Sequence, residues 1–201
     1  MEHVPPNEWV VFDLETTGLS PEVDRVIQIA AVRMRGGRVS AAETFFSYVD
    51  PQRPIPAWIE QYTGVTNHQV RGAPPVDRML SAFSAWAGDA LLVAHNGHRF
   101  DMNFLRAGCV RHAMPTRPVV YHDSIWLSRT VWPTPRLRHG LDAVLERLCL
   151  SKSSVRRHDA RGDVELLGCA MERMAAELSG RGHACDLRTE QGVLPALPSS
   201  P

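Results

Sequence analysis

The sequence predicts an α/β domain built on a mixed five-stranded sheet that is flanked by helices. Two observations support this fold class. The glycine pair Gly36-Gly37 separates two runs rich in apolar and β-branched residues, which is typical of an antiparallel hairpin. After the hairpin, short apolar runs alternate with helical patterns, and this alternation favours parallel strands joined by helices.

The elements of this fold follow one another without an internal repeat. Strands are predicted at 9–12, 26–34, 39–49, 91–93 and 119–121. Helices are predicted from Ala57, over 76–86 and 100–112, from an Asp123 or Ser124 cap through Leu127, and over 164–178, where apolar residues form one stripe. We therefore expect one domain over residues 1–180, followed by a flexible tail over residues 181–201.

The composition excludes several classes of protein. With 201 residues, 44% hydrophobic and 22% charged, the chain suits one globular domain and is not of disordered composition. The apolar run at 90–94 is too short to cross a bilayer, and residues 1–7 lack the basic start of a secretory signal. The four cysteines form no C-x-x-C pair, which argues against a zinc site and a disulfide framework. We expect a cytoplasmic protein that does not bind membranes.

The charge is balanced overall but unevenly distributed. Lys+Arg and Asp+Glu are each 22, yet residues 95–161 hold 12 basic and 5 acidic side chains. The flanking segments are acidic, with 7 basic and 11 acidic residues over 1–94 and 3 and 6 over 162–201. A basic segment between acidic ones suits a protein that binds a phosphate backbone beside a carboxylate-lined metal site, although a solvated Arg-rich helix face would look the same.

Four carboxylates stand where predicted strands or helices end or begin. Asp13 and Glu15 follow the first strand and, two residues apart in extended chain, point to the same side. Asp101 opens a helix after the fourth strand, and Asp163 lies near the start of the last helix, five residues after His158. Each alone could be a solvated or helix-capping residue. Together they predict a hard, oxygen-rich site of the kind that Mg²⁺ or Mn²⁺ prefers.

Three ordered motifs resemble those of the DEDDh 3′–5′ exonucleases, the DnaQ-like group. Residues 13–18, of sequence DLETTG, resemble the first motif, 95–101 the second, and 158–163, of H-x-A-x-x-D form, the third. The segment Tyr62-Thr63-Gly64 is similar to one found between the first two motifs. The resemblance covers about residues 9–178 and includes the proofreading exonucleases of bacterial DNA polymerase III. It implies a ribonuclease H-like fold.

One departure from the proofreading pattern concerns the second motif. Asn96 and Asp101 are five steps apart, where the proofreading subunits usually have four. The HNG-x-RFD form, and the Gly162-Asp163-Val164 of the third motif, look more like the three-prime repair exonucleases. The departure argues against identifying the chain as a polymerase subunit and leaves the expected chemistry unchanged.

The resemblance implies a two-metal-ion mechanism with Mg²⁺ or Mn²⁺. Asp13, Glu15, Asp101 and Asp163 would hold the two cations, and His158 would take the proton from the attacking water. The substrate end would be contacted by residues of the first two motifs, with Leu19 as an apolar wedge against the last base. These substrate-contact candidates are Thr16, Thr17, Gly18, Leu19, His95, Asn96 and Phe100.

The expected activity is removal of nucleoside 5′-monophosphates from the 3′ end of single-stranded or frayed DNA, in proofreading or repair. RNA is the alternative substrate, as in oligoribonuclease and ribonuclease T. A non-catalytic module that recruits a polymerase is a further alternative, disfavoured because clustered carboxylates repel one another. A DNA polymerase is a candidate partner. A sliding clamp is another, since Gln191, Leu194 and Leu197 faintly resemble a clamp contact.

Overall fold

The computed structural model describes residues 8–150, 160–185 and 187–197. In chain order these residues form β1 (Glu8–Thr16), β2 (Val26–Arg35), β3 (Arg38–Tyr48), α1 (Ala57–Thr63), α2 (Asn67–Val70), α3 (Val76–Ala87), β4 (Leu91–Ala94), α4 (Asp101–Arg111), β5 (Thr116–Asp123), α5 (Ser124–Val131), α6 (Leu141–Arg147), α7 (Ala160–Gly180) and β6 (Glu190–Pro195).

The strands form one mixed sheet in the order β3-β2-β1-β4-β5-β6. Strands β1, β2 and β3 are antiparallel neighbours, whereas β4 runs parallel to both β1 and β5. Gly36 and Gly37 both have positive φ, at 56° and 77°, which the predicted hairpin turn between β2 and β3 requires. Because β1, β4 and β5 are parallel, their carboxyl ends lie at the same edge of the sheet.

Helices cover both faces of the sheet. Helix α7 packs on β1 and β2, together with α5 and α6, over a core that includes Val11, Val32 and Leu167. The opposite face carries α3 and α4 over a second core, which contains Phe12, Ile29 and Leu105. Consecutive residues of β1 alternate between these two cores, so the central strand is buried on both sides. The mixed α/β fold is the one predicted.

The predicted strand number is wrong, because the sheet has a sixth strand. Residues Glu190–Pro195, expected in a flexible tail, pair antiparallel with β5 and pack against α3 and α4. Leu194 is fully buried in the core, and the Ser84 hydroxyl donates a 2.7 Å hydrogen bond to the Pro195 carbonyl. The end of the helical pattern at Gly180 and the prolines over 182–201 suggested a tail, yet without β6 the strand β5 would expose its edge to solvent. That residues 1–180 form a domain of their own stays a prediction.

The helices of the described residues include none with both the length and the apolar character needed to cross a bilayer.

Candidate active site

Asp13 and Glu15 lie at the carboxyl end of β1, on the face that α7 covers. Trp9 and Val11 precede them on this face and pack in the α7 core, and strand alternation carries the face on to the two carboxylates. Asp13 is half-buried and Glu15 is 9% exposed. The change from apolar to acidic residues therefore occurs where the core ends and the sheet edge begins.

Asp163 is brought to the same place by the start of α7. The main-chain N–H of Ala160 donates a 2.9 Å hydrogen bond to the side-chain oxygen of the buried Gln28, which fixes the first turn of the helix on β2. Asp163 is in this first turn and is buried. One ligand oxygen from each of Asp13, Glu15 and Asp163 lies within 4.8 Å of the others. The structure thus brings together three of the four carboxylates expected at the site.

Asp101 lies next to the three carboxylates, but among the described residues its oxygens are not part of the group within 4.8 Å. Its Oδ1 accepts a 3.2 Å hydrogen bond from the main-chain N–H of Leu14, the residue between Asp13 and Glu15. The carboxyl is 2% exposed, and burial, together with a smaller effect of the charge of Asp123, raises the pKa of Asp101 to about 7. The hydrogen bonds from the main chain at Asp101 and Leu14 lower it. A cation beside this group would favour its ionised form.

Asp123, at the end of β5, anchors the loop that leads to Asp101. Its carboxylate accepts hydrogen bonds from the main-chain N–H groups of Asn96, at 3.0 Å, and His98, at 3.2 Å. It also caps α5 by accepting from Ile125 N at 3.0 Å, and is thus the one of the two predicted cap candidates, Asp123 and Ser124, that the structure selects. Asn96 has a φ of 63°, so the chain turns sharply after β4. Asp123 therefore holds the second-motif loop in shape.

The turn after β1 is held by its own threonines. The Thr16 hydroxyl donates to Gly18 O at 2.5 Å, and the Thr17 hydroxyl donates to Asp24 at 3.1 Å. The Thr17 N–H donates to Arg25 O at 2.8 Å, so Thr17 engages its donors within the loop. A Cβ added at Gly18 would stand 2.4 Å from an Asp24 carboxylate oxygen, which explains why glycine is needed there.

A cleft of about 230 Å³ opens at the three carboxylates. Its walls include Leu19, 79% exposed, and Phe100 from the second-motif loop. Helix α1 adds Trp58 and Tyr62, exposed by 59% and 55%, one turn apart on the same side of the helix. Apolar and aromatic groups beside carboxylates can enclose the flat face of a base.

The remaining predicted contacts are divided between this cleft and the structure around it. Thr16, Gly18, Leu19 and Phe100 line the cleft. Thr17, His95 and Asn96 do not; the ring Nδ1 of His95 is 2.8 Å from the Ser124 hydroxyl. Sequence reasoning missed Trp58, although its spacing of four from Tyr62 was a usable signal. His158 lies outside the described residues.

These residues fit a divalent cation. The donors are carboxylate oxygens, the hard ligands that Mg²⁺ and Mn²⁺ take in proteins. Three such groups within 4.8 Å, with Glu15 and Asp163 exposed by only 9% and 6%, repel one another unless a positive charge stands between them. Among the described residues, no cysteine or histidine belongs to the group, which argues against zinc.

Comparisons with known proteins agree with this geometry. A family model described as exonuclease, RNase_T, matches residues 10–168. The chain is 38% identical to the PolC-type DNA polymerase III of Latilactobacillus sakei over 172 residues, covering 85% of the chain and 11% of the relative. It is 36% identical over 186 residues to the PolC-type enzyme of Streptococcus mutans, covering 90% and 12%. The chain spans about a tenth of the length of these curated relatives.

Solved structures show the same fold. The nuclease domain of 3′hExo, a DEDDh family member bound to rAMP, aligns with a TM-score of 0.74 at 20% identity, covering 93% of this chain and 98% of that one. Exonuclease X in complex with 5′ overhanging duplex DNA aligns with a TM-score of 0.67 at 21% identity, covering 84% and 91%. Members of this family use divalent metal ions. The chain therefore belongs to the exonuclease family that the RNase_T model describes.

Proposed function

We propose that the protein is a 3′–5′ exonuclease that hydrolyses single-stranded or frayed DNA to nucleoside 5′-monophosphates, using two divalent cations. The observation that carries the proposal is the convergence of carboxylate oxygens from Asp13, Glu15 and Asp163 within 4.8 Å, in a cleft walled by exposed apolar groups. Mg²⁺ and Mn²⁺ both fit this donor set.

In the proposed mechanism, Asp13, Glu15, Asp101 and Asp163 hold the cations. The bound ions supply charge stabilisation at the scissile phosphate and favour loss of a proton from the attacking water. Asp101 enters the reaction ionised, and its hydrogen bond from Leu14 N fixes its orientation relative to the first motif. His158 accepts the proton of the attacking water, a role that suits an imidazole of ordinary pKa near 6.5.

The walls of the cleft position the end of the strand. Leu19 projects into solvent from the loop after β1, where it would pack against the terminal base with Phe100 on the other side. Trp58 and Tyr62 offer aromatic faces to the next base, and stacking of this kind does not depend on base identity. Stacking contacts of this kind suit bases that are not paired, which supports action on single-stranded or frayed ends.

DNA is proposed as the substrate because the relatives of 35–38% identity are PolC-type DNA polymerases. That similarity also supports a proofreading role and association with a polymerase. RNA is the second candidate, because the 3′hExo structure of similar fold holds rAMP. A sliding clamp is not supported as a partner through Leu194, whose side chain is fully buried.

The test is nucleotide release from purified protein. A DNA oligonucleotide labelled at its 3′ end should yield labelled mononucleotide at once when Mg²⁺ or Mn²⁺ is added, whereas a 5′-labelled one should shorten stepwise. Asp13→Asn should abolish release. Asp89→Asn, at a carboxylate 97% exposed, is the matched control and should leave it unchanged.

Matched RNA decides the substrate class. Faster release from RNA than from DNA would overturn the DNA assignment. Release of internal fragments, or of mononucleotide from the 5′ end first, would overturn the direction. Absence of any metal-dependent release would favour the non-catalytic recruiting module instead.

A further inference from the structure

Three arginine side chains converge on the loop between β1 and β2. The guanidinium of Arg111, at the end of α4, donates hydrogen bonds to the carbonyls of Pro21, at 2.7 Å, and Glu22, at 3.2 Å. Arg53 donates to Val23 O at 2.9 Å. Arg25 donates to Asp24 O at 3.0 Å and to Val23 O. Arg25 belongs to this loop itself, whereas Arg53 and Arg111 reach it from two other parts of the chain.

The positive charge of these arginines is not neutralised by the groups they contact. Their partners are neutral carbonyls, and in the described ranges none of the three has a carboxylate oxygen within 4.0 Å. Burial lowers the pKa of Arg111, and the nearby charge of Arg25 lowers it further. Each guanidinium carries five N–H donors and uses one nitrogen on the loop, so donors remain for a ligand.

The three arginines line one open pocket of about 390 Å³. His112 adds a further basic group to its wall, and Asp50 is the one carboxylate among its lining residues. Asp50 accepts a 2.8 Å hydrogen bond from Gln52 N, within its own turn. The balance in the pocket is therefore strongly positive, which suits an anion rather than a neutral ligand.

The pocket is physically linked to the candidate active site. Arg25 and Thr17 exchange hydrogen bonds, with Thr17 N donating to Arg25 O at 2.8 Å and Arg25 N donating to Thr17 Oγ1 at 3.0 Å. Helix α4 begins at Asp101 and reaches Arg111 ten residues later. At about 1.5 Å of rise per residue, Arg111 stands roughly 15 Å along the helix axis from Asp101. Measured along the axis of a B-form helix, where one strand advances by roughly 3.4 Å per phosphate, this distance spans about four nucleotides.

We propose that Arg25, Arg53 and Arg111 form a second phosphate-binding site, which holds the phosphodiester backbone of the nucleic acid several nucleotides from the cleaved end. This proposal rests on the proposed function, because the exonuclease activity fixes where the nucleic acid lies. The guanidiniums contact phosphate oxygens only, so the site increases affinity and fixes the register of the substrate without reading its sequence. The backbone is that of the cleaved strand or of its complement.

The competing explanation is that the arginines only brace the 21–24 loop. The two explanations differ in what substitution does. Glutamine keeps an N–H donor for the loop carbonyls and removes the charge. Lysine keeps the charge but loses the planar guanidinium and its paired donors. Bracing alone predicts lower thermal stability and no change in the salt dependence of binding.

The experiment is a fluorescence anisotropy titration in EDTA, where hydrolysis does not interfere. Wild type and the triple variant R25Q/R53Q/R111Q are titrated with a trinucleotide, a 12-nucleotide single strand and a 12-base-pair duplex, each over a range of salt concentrations. For each phosphate that the variant no longer neutralises, the slope of log K against log salt should fall in magnitude by about 0.7 on a single strand and about 0.9 on a duplex. A triple lysine variant should restore most of the slope.

The substrates distinguish the two sources of phosphate. A reduced slope on the single strand, growing with its length, assigns the site to the cleaved strand. A reduced slope on the duplex alone assigns it to the complement. Unchanged slopes on both overturn the proposal. Arg38→Gln, at the exposed β2–β3 turn on the opposite edge of the sheet, is the matched control and should change neither affinity nor slope.

A single variant and a binding readout guard against loss of folding and loss of catalysis. Arg53 is exposed, so Arg53→Gln alone serves if the triple variant melts at a much lower temperature, with about one third of the effect. Binding is measured without catalysis, and therefore a protein that fails to release nucleotides can still show the slope change. Conversely, a nuclease with unchanged slopes keeps the proposed function and loses only the second site.

Discussion

Replacing Asp101 with asparagine should change how the stability of the metal-free protein depends on pH. Asp101 is 2% exposed, and burial raises the pKa of its carboxyl to about 7 from a usual value near 3.8. The folded protein therefore binds a proton at this group more tightly than the unfolded chain does. Its contribution to stability is fully present below about pH 4 and is lost as the pH rises through about 7.

The size of the effect follows from the shift. A difference of about three pKa units corresponds to about 4 kcal/mol, at roughly 1.36 kcal/mol per unit. Asparagine is neutral at every pH, and its side-chain oxygen can still accept the hydrogen bond from Leu14 N. The stability of Asp101→Asn relative to wild type should therefore increase by about 3 kcal/mol between pH 4.5 and pH 8, because about 1 kcal/mol of the total is already lost at pH 4.5.

The assay is urea unfolding of both proteins in EDTA at several pH values, with Asp89→Asn as an exposed-carboxylate control. A stability difference between Asp101→Asn and wild type that does not vary with pH would show that burial does not disfavour the charged carboxyl. Mg²⁺ should then stabilise wild type more than Asp101→Asn at pH 8, because the cation binds the ionised form.

Three other substitutions test separate parts of the structure. Trp58→Ala should weaken single-strand binding by about 1–3 kcal/mol if the indole stacks on a base; equal affinity for wild type and variant by anisotropy would exclude stacking. Leu194→Ala should cost about 2–5 kcal/mol of unfolding free energy, and the 44%-exposed Leu197 provides a control that should cost little; equal costs would mean that β6 is not part of the core. His158→Ala should reduce nucleotide release by about 10²- to 10⁴-fold with cation binding retained; release at the wild-type rate would remove His158 as the base.

The sequence predicted the central part of the fold because that part has strong local signals. The Gly36-Gly37 turn, the apolar run into Asp13 and the stripe along α7 each correspond to an element of the structure. Strand β6 was missed since its pairing with β5 joins residues about 75 positions apart, and its glycine and proline argue locally for a tail. Helix α6 was missed as well; it is short, with two buried side chains.

Within the candidate site, residue type and spacing predicted the carboxylates but not their environments. Asp13, Glu15 and Asp163 converge as expected. The raised pKa of Asp101 comes mainly from burial and also from the charge of Asp123, a residue interpreted from sequence as a helix cap. Neither effect is visible in a linear sequence. The arginine pocket was missed for the same reason, because its members are brought together only by tertiary structure.

Cation binding to the metal-free protein tests the proposed carboxylate site most directly. Mn²⁺ titration followed by electron paramagnetic resonance, without nucleic acid, should show binding to wild type and to Asp89→Asn. Asp163→Asn removes one charge from a group whose oxygens lie within 4.8 Å, so it should bind Mn²⁺ much more weakly. Equal Mn²⁺ affinity for wild type and Asp163→Asn would mean that the three carboxylates do not form a common cation site.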